Sequence, residues 1–267
     1  MVIPKIVGIL NITPDSFSDG GLYLEPTNAV ERARALIAQG ADIIDIGAES
    51  SRPEAQKVSA QDEINRLSPV IKGLKQEKLV LSVDTYKPEV MRQVLEMGVD
   101  MINDITALKD PFSVEIAKEY GVPVVIMYAR GPGPHADRTV REHRRLMDEI
   151  TRFFANRIDA LTGSGIKLEN IIIDPGMGFF LGGNPEPSLV VLKHLKKLKR
   201  LGTRLYLSTS RKSFIGTILH REVSKRAAGT LATETWAYLQ GVDFLRTHEV
   251  EPLRDALKIL QAIQDIE

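Results

Sequence analysis

Eight short apolar runs, each followed by a segment of helical period, recur along the whole chain, and this alternation limits the fold more than any other feature. The runs are residues 6–11, 42–47, 79–84, 101–105, 123–127, 171–174, 204–209 and 243–247. Helix-period patterns occupy 27–39, 60–76, 88–97, 111–120, 139–163, 186–200, 213–219 with 225–240, and 251–265. The interiors of the runs are Val, Ile and Leu, as in parallel strands buried on both faces. Eight such units in 267 residues predict one (β/α)8 TIM barrel spanning 1–267, a fold of about 250 residues. A doubly wound open sheet is the runner-up, but no Gly-x-Gly-x-x-Gly turn follows an early run. Gly40-Ala41-Asp42, Gly98-Val99-Asp100 and Gly241-Val242-Asp243 repeat one helix-to-strand turn, which supports the barrel.

Charge and cysteine content narrow the function. Lys+Arg and Asp+Glu are 35 each, so nothing global favours nucleic acid or an anionic membrane, and an anionic substrate needs a local basic cluster. The absence of cysteine excludes disulfides and thiolate metal sites and fits a reducing cytoplasm. The first strand follows Met1 within a few residues, leaving no room for a signal peptide, and no apolar run approaches the ~20 residues of a membrane span.

The C-terminal ends of the runs are polar: Asn11; Asp45 and Glu49; Asp84; Asn103 and Asp104; Met127 and Tyr128; Asp174; Ser210, Arg211 and Lys212; Arg246, His248 and Glu249. In a barrel all of these converge on the face that carries active sites. A single Asp at such a place is commonly a helix cap. Eight polar ends together point instead to a ligand rich in N–H groups, since buried carboxylates need donors. Asp84, Asn103 and Asp174 supply acceptors, and Lys212 and Asn103 supply donors. That set suits a flat heterocycle with an amino group, a ring N–H and a carbonyl, whose edge an ionised Asp grips with two parallel bonds. A salt bridge from Lys212 to one of the acids is the structural alternative. Asn11, Arg52, Arg246 and His248 come from loops that neighbour one another in a closed barrel and make a diphosphate-sized anion site. Trp236, at helical spacing in α-helical sequence, reads as core.

The motifs containing these residues resemble those of dihydropteroate synthase. They are Asn11-Ile-Thr-Pro-Asp-Ser-Phe-Ser-Asp-Gly-Gly21, Gly47-Ala-Glu-Ser-Ser-Arg-Pro53, Ser82-Val-Asp-Thr-Tyr86, Ile102-Asn-Asp-Ile105, Asp174-Pro-Gly-Met-Gly-Phe179, Ser210-Arg-Lys-Ser-Phe-Ile-Gly216 and Arg246-Thr-His248, in family order over nearly the whole chain. The resemblance implies an enzyme that joins 4-aminobenzoate to 6-hydroxymethyl-7,8-dihydropterin diphosphate and releases diphosphate. It implies pterin binding by Asp84, Asn103, Asp174 and Lys212, with Met127 and Phe179 lining the ring. It places diphosphate and Mg²⁺ on Asn11, Arg52, Arg246 and His248, with Asn11 as the metal ligand. Ser51, Pro53 and Ser210 fall on the aminobenzoate side, and Phe17 and Asp19 on a loop that closes the site. It also implies a homodimer, with 225–240 or 251–265 as the candidate interface. The same-fold alternative is a pterin-binding methyltransferase barrel, which needs no diphosphate set; a non-catalytic pterin-binding protein is the other.

Several positions depart from the family pattern. Phe180 and Leu181 stand where a small residue and a lysine are usual, Ser208 where Gly is common, and Glu54 where Gly is usual. These changes resemble the sulfonamide-insensitive branch of the family. Extra volume beside the aminobenzoate slot would spare a flat acid and obstruct a bulkier sulfonamide. Glu54 would add repulsion toward anionic sulfonamides, but toward the substrate carboxylate too, so it ranks second to volume.

Overall fold

Strand β1 (Lys5–Asn11) pairs in parallel with β2 (Ile43–Gly47) on one side and with β8 (Phe244–Thr247) on the other, so the sheet closes on itself. Between them run β3 (Val80–Asp84), β4 (Met101–Asp104), β5 (Val124–Met127), β6 (Ile171–Asp174) and β7 (Arg204–Leu207), every neighbour parallel and in chain order. The structure is a computed structural model that describes residues 2–13, 25–131 and 133–266. Helices α1 (Pro26–Ala38), α2 (Ala60–Leu74), α3 (Pro88–Glu96), α4 (Pro111–Tyr120), α5 (Leu146–Gly163), α6 (Glu186–Leu198), α7 (Ser213–Leu219), α8 (Ala227–Leu239) and α9 (Val250–Gln264) surround it. This is the (β/α)8 barrel expected from the alternation.

The repeated Gly-x-Asp turns are stitches on the far face from the site. The Asp42 carboxylate accepts the Ile6 N–H at 2.9 Å while its own N–H donates to the Ile6 carbonyl at 2.8 Å. Asp100 makes the same exchange with Leu81, at 2.8 and 2.9 Å, and Asp243 with Leu205, at 2.7 and 2.8 Å. Each Asp therefore caps the first residues of the preceding strand, whose N–H groups would otherwise lack partners. The glycines before them all have positive φ, between 81° and 99°.

Val7, Ile43, Met101, Val125, Ile172, Tyr206 and Phe244 form one buried cluster drawn from seven strands. Such a cluster can exist only inside the barrel, where it plugs the lumen. Side chains alternate along a strand, so residues two places further on also face inward, one layer nearer the C-terminal mouth. That next layer reads Ile9, Asp45, Asn103, Met127, Asp174, Ser208 and Arg246. The layer above it begins with Asn11, Asp84, Ser210 and His248. An apolar plug thus carries a polar floor.

Two sequence readings are corrected here. The helix expected over 139–163 starts at Leu146. Residues before it spend their backbone groups elsewhere: the Thr139 N–H goes to Asp137 at 2.8 Å, the Thr139 carbonyl accepts the Gly183 N–H at 2.8 Å, and the Arg141 N–H goes to Asn184 at 3.0 Å. Trp236 is not core: 47% of it is exposed on α8, and its indole N–H donates to the Leu192 carbonyl at 2.9 Å.

Candidate active site

Asp45 is the hub of the polar floor. It is fully buried, accepts from Ser82 Oγ at 2.6 Å and Asn103 Nδ2 at 3.0 Å, and takes the Arg246 Nε–H at 2.6 Å. Arg246 continues to Asp84 through Nη2 at 3.0 Å. One guanidinium therefore joins two acids from adjacent strands. Burial works against its charge, but Asp45 and Asp84 outweigh that and raise its pKa, so it stays protonated. The Asn103 amide nitrogen is committed to Asp45, which leaves its carbonyl oxygen as the group able to accept from a ligand.

The two acids expected to grip a heterocycle sit where ionisation is costly. Burial raises Asp84 to about 7, with Arg246 pulling the other way and Asp45 adding to the rise. Burial raises Asp174 to about 6 against the Gly176 N–H, which its Oδ1 accepts at 2.8 Å. Gly176, at φ +68°, turns the chain there, and a Cβ on it would run into the Tyr128 carbonyl. Burial and the Arg246 charge lower Lys212 to about 8. Its Nζ stands 5.1 Å over the Phe180 ring, and no salt bridge holds it among the described residues. The structural alternative for Lys212 is therefore not what the structure forms. A neutral heterocycle would satisfy both acids with its N–H groups and the ammonium with a carbonyl oxygen or ring nitrogen.

A cleft of about 380 Å³ opens above this floor. Asn11, Asp84, Arg246 and His248 line its inner part; Ser51, Arg52, Pro53, Phe179, Ser210 and Lys212 line the walls. Asn103, Met127 and Asp174 lie in the floor, each under a tenth exposed. Phe180 and Ala136 pack on Met127, with Phe179 against the same cluster. Phe17 and Asp19 lie outside the described residues.

His248 enters as a neutral donor rather than a cation. The Ser210 hydroxyl oxygen accepts the His248 backbone N–H at 3.1 Å and stands 2.9 Å from Nδ1, so its proton is free to go to that nitrogen. The ring proton is then on Nε2, which has no partner among the described residues. Burial, with Arg211 and Arg246 nearby, holds the imidazole well below its usual range.

Sequence reading missed Asp45 as a site residue, although it stood among the polar strand ends. It also missed the support beneath the loop after β2. There the Lys87 ammonium lies between Glu49 and Glu63, the latter at 2.5 Å, and Tyr86 OH donates to Glu49 at 3.0 Å. Glu54 is paired with Arg138, Nη2 to Oε1 at 2.8 Å, an exposed ion pair that offsets part of its charge.

The sequence matches the profile of the family described as pterin binding enzyme over residues 7–248. It is 45% identical over 260 residues to a type-3 dihydropteroate synthase of Escherichia coli, covering 97% of this chain and 99% of that one. It is 40% identical to the dihydropteroate synthase of a Synechocystis strain, covering 97% and 89%. Among solved structures, the Xanthomonas albilineans dihydropteroate synthase with 4-aminobenzoic acid superposes with a TM-score of 0.90 at 39% identity, covering 99% and 94%. The Yersinia pestis dihydropteroate synthase in a sulfonamide drug complex gives 0.93 at 36% identity, covering 98% and 95%.

Proposed function

The chain belongs to the pterin-binding enzymes and, within them, to the dihydropteroate synthases, transferases of folate biosynthesis that join 4-aminobenzoate to 6-hydroxymethyl-7,8-dihydropterin diphosphate with release of diphosphate; from that premise we propose how its residues divide the work. The observation that carries the assignment is the floor itself, with Asp84 and Asp174 raised by burial and Lys212 lowered. Asp84 and Asp174 accept the amino and ring N–H groups of the pterin, the Asn103 oxygen accepts a further N–H, and Lys212 donates to the ring carbonyl or a ring nitrogen. Met127 and the Phe179–Phe180 turn cover the ring. The diphosphate lies towards Asn11, Arg52, the outer edge of Arg246 and the Nε2–H of His248. The aminobenzoate ring enters between Ser51 and Pro53 on one side and Phe179 and Ser210 on the other.

Asn11 suits Mg²⁺: it offers one neutral amide oxygen at the cleft, of the kind that leaves the remaining positions to phosphate oxygens and water. When bound, the ion offsets charge that builds on the leaving diphosphate. The residues favour departure of diphosphate before the new bond forms. The pterin methylene carbon then carries positive charge close to Asp84 and Asp174, and the neutral aniline nitrogen attacks it, so no enzyme nucleophile is required.

Three coarser proposals accompany this one. The volume of Phe180 and Ser208 at the cleft lowers sulfonamide affinity relative to 4-aminobenzoate. Half-exposed Leu189, Ile218, Leu219 and Trp236 on α6, α7 and α8 pair with the same face of a second copy. The zero cysteine count suits a cytoplasmic setting, and among the described residues no helix is long and apolar enough to cross a membrane. The deciding experiment is diphosphate release with both substrates, each substrate omitted in turn. Release at the same rate without 4-aminobenzoate, or none with both present, would overturn the assignment.

A further inference from the structure

The loop after β2 brings Ser51, Arg52 and Pro53 to the cleft wall, yet β2 itself ends at Gly47. Behind the loop lies a cluster of buried charge that takes no part in the proposed chemistry. Lys87, the residue before α3, puts its ammonium between the carboxylates of Glu49 and Glu63, the latter at 2.5 Å. The three side chains are 14%, 6% and 1% exposed. Burial works against the Lys87 charge, but bonds to the two acids outweigh it and raise its pKa. Glu63 belongs to the first turn of α2, so the ammonium joins the start of the loop to the helix that follows it.

Glu49 is where the contacts of this cluster meet. Its Oε2 takes Lys87, while its Oε1 accepts from the Tyr86 hydroxyl at 3.0 Å and lies 3.4 Å from His135 Nε2. Groups from two neighbouring loops therefore fix both oxygens of one carboxylate. The residue after His135, Ala136, donates its N–H to the Ser51 carbonyl at 3.0 Å and packs on Met127 and Phe180. The loop after β2 is thus fastened to the turn after β3 and to the segment that joins β5 to α5. Asp84, three residues before Lys87, is held separately. Arg246 bonds its carboxylate at 3.0 Å, and the Thr85 N–H donates to the Asn103 backbone carbonyl at 3.1 Å.

We propose that Lys87 is a positioning residue for 4-aminobenzoate: by fastening Glu49 to Glu63 it sets the loop after β2, and with it the slot between Pro53 and Phe179, without lining the cleft itself. This rests on the placement of the aminobenzoate ring in that slot. A loop displaced by about 1 Å weakens contacts with the ring, whereas the pterin floor, carried by β3, β4, β6 and the turn after β7, keeps its geometry.

The test uses the full-length chain as wild type, Lys87→Met, Lys87→Arg and the double variant Lys87→Met/Glu63→Gln. One measurement is the KM for 4-aminobenzoate at saturating pterin diphosphate. The other is the calorimetric Kd of 6-hydroxymethyl-7,8-dihydropterin, which lacks the diphosphate that Arg52 would hold. Lys87→Met leaves two buried acids without their cation and should melt well below wild type. The double variant has the same formal charge in the cluster as wild type and should recover most of that stability, so it decides the matter if the single variant does not fold. In both, the KM should rise roughly tenfold with the pterin Kd within about twofold, and Lys87→Arg should keep the KM within about threefold of wild type. A wild-type KM in the double variant would reduce Lys87 to charge balance and overturn the proposal, as would a pterin Kd that weakens in step with the KM. Wild-type enzyme that releases no diphosphate with both substrates present would instead overturn the assignment on which the proposal rests, a separately visible result.

Discussion

Asp174→Asn should make the protein without ligand more stable at neutral pH and unable to hold the pterin. Burial lifts the Asp174 carboxyl from the usual 3.8 to about 6. The folded state therefore binds this proton more tightly than the unfolded chain does. The associated stability is complete below the unfolded value and is lost as pH rises through about 6. At about 1.4 kcal/mol per tenfold change in proton affinity, the ionised side chain destabilises the folded state by ~3 kcal/mol at pH 7.5 and by only ~1 kcal/mol at pH 4.5. Asparagine removes the charge and keeps an oxygen for the Gly176 N–H. The variant should melt roughly 6–10 °C above wild type at pH 7.5 in a chain of this size, and roughly 2–4 °C above it at pH 4.5. Any penalty for an unpaired amide shifts both values together, so their difference is the sharp readout. Calorimetry should show pterin affinity down by two orders or more, because a donor then faces a donor. A melting difference independent of pH would refute the buried-charge reasoning, and unchanged pterin affinity would refute the role.

Asp45→Asn should lower kcat/KM by about a hundredfold or more through Arg246 and Asn103, since breaking one partner of a buried pair costs about 3–5 kcal/mol; a pterin affinity equal to wild type, measured by calorimetry, would show that Asp45 does not hold these groups in place. The ratio of sulfonamide Ki to 4-aminobenzoate KM should be well above one in wild type and fall roughly tenfold in Phe180→Leu, which keeps apolar packing on Met127 while removing the ring; a ratio near one, or one that leucine leaves unchanged, would remove the steric explanation. Trp236→Glu should sediment as a monomer and wild type as a dimer, and identical sedimentation of the two would discard the α6–α8 face as the interface.

The barrel was legible because its signals are local. Each strand is a short apolar run, each stitch is a Gly-x-Asp triplet, and parallel strands send all C-terminal ends to one face. The floor was half legible: adding two to each plug residue, Val7, Ile43, Met101, Ile172 and Phe244, lands on Ile9, Asp45, Asn103, Asp174 and Arg246. The partners of those residues were not legible. Arg246 looked like an anion holder, yet Nε and Nη2 go to acids 201 and 162 positions away. His248 was legible as part of an anion site, but its neutrality follows from burial and from Ser210, 38 positions earlier. The false start of α5 has a similar cause. Residues 139–145 have helical composition, and only contact with Gly183 and Asn184 shows where their backbone bonds go.

The charge balance of the floor bears on the order of bond breaking. Asp45, Asp84 and Asp174 face Arg246 and Lys212, so with all five ionised the set carries one surplus negative charge. A neutral pterin brings N–H donors to this set and leaves the surplus in place. On the proposed route, departure of diphosphate would put positive charge on the methylene carbon near this surplus, where burial strengthens their attraction. The compensating cation, Lys212, is itself lowered to about 8 by burial and by the Arg246 charge, so its share of the neutralisation weakens as pH rises. The third carboxylate, Asp45, fixes Arg246 and Asn103 for the ring, and on the proposed route its charge also favours a cationic intermediate.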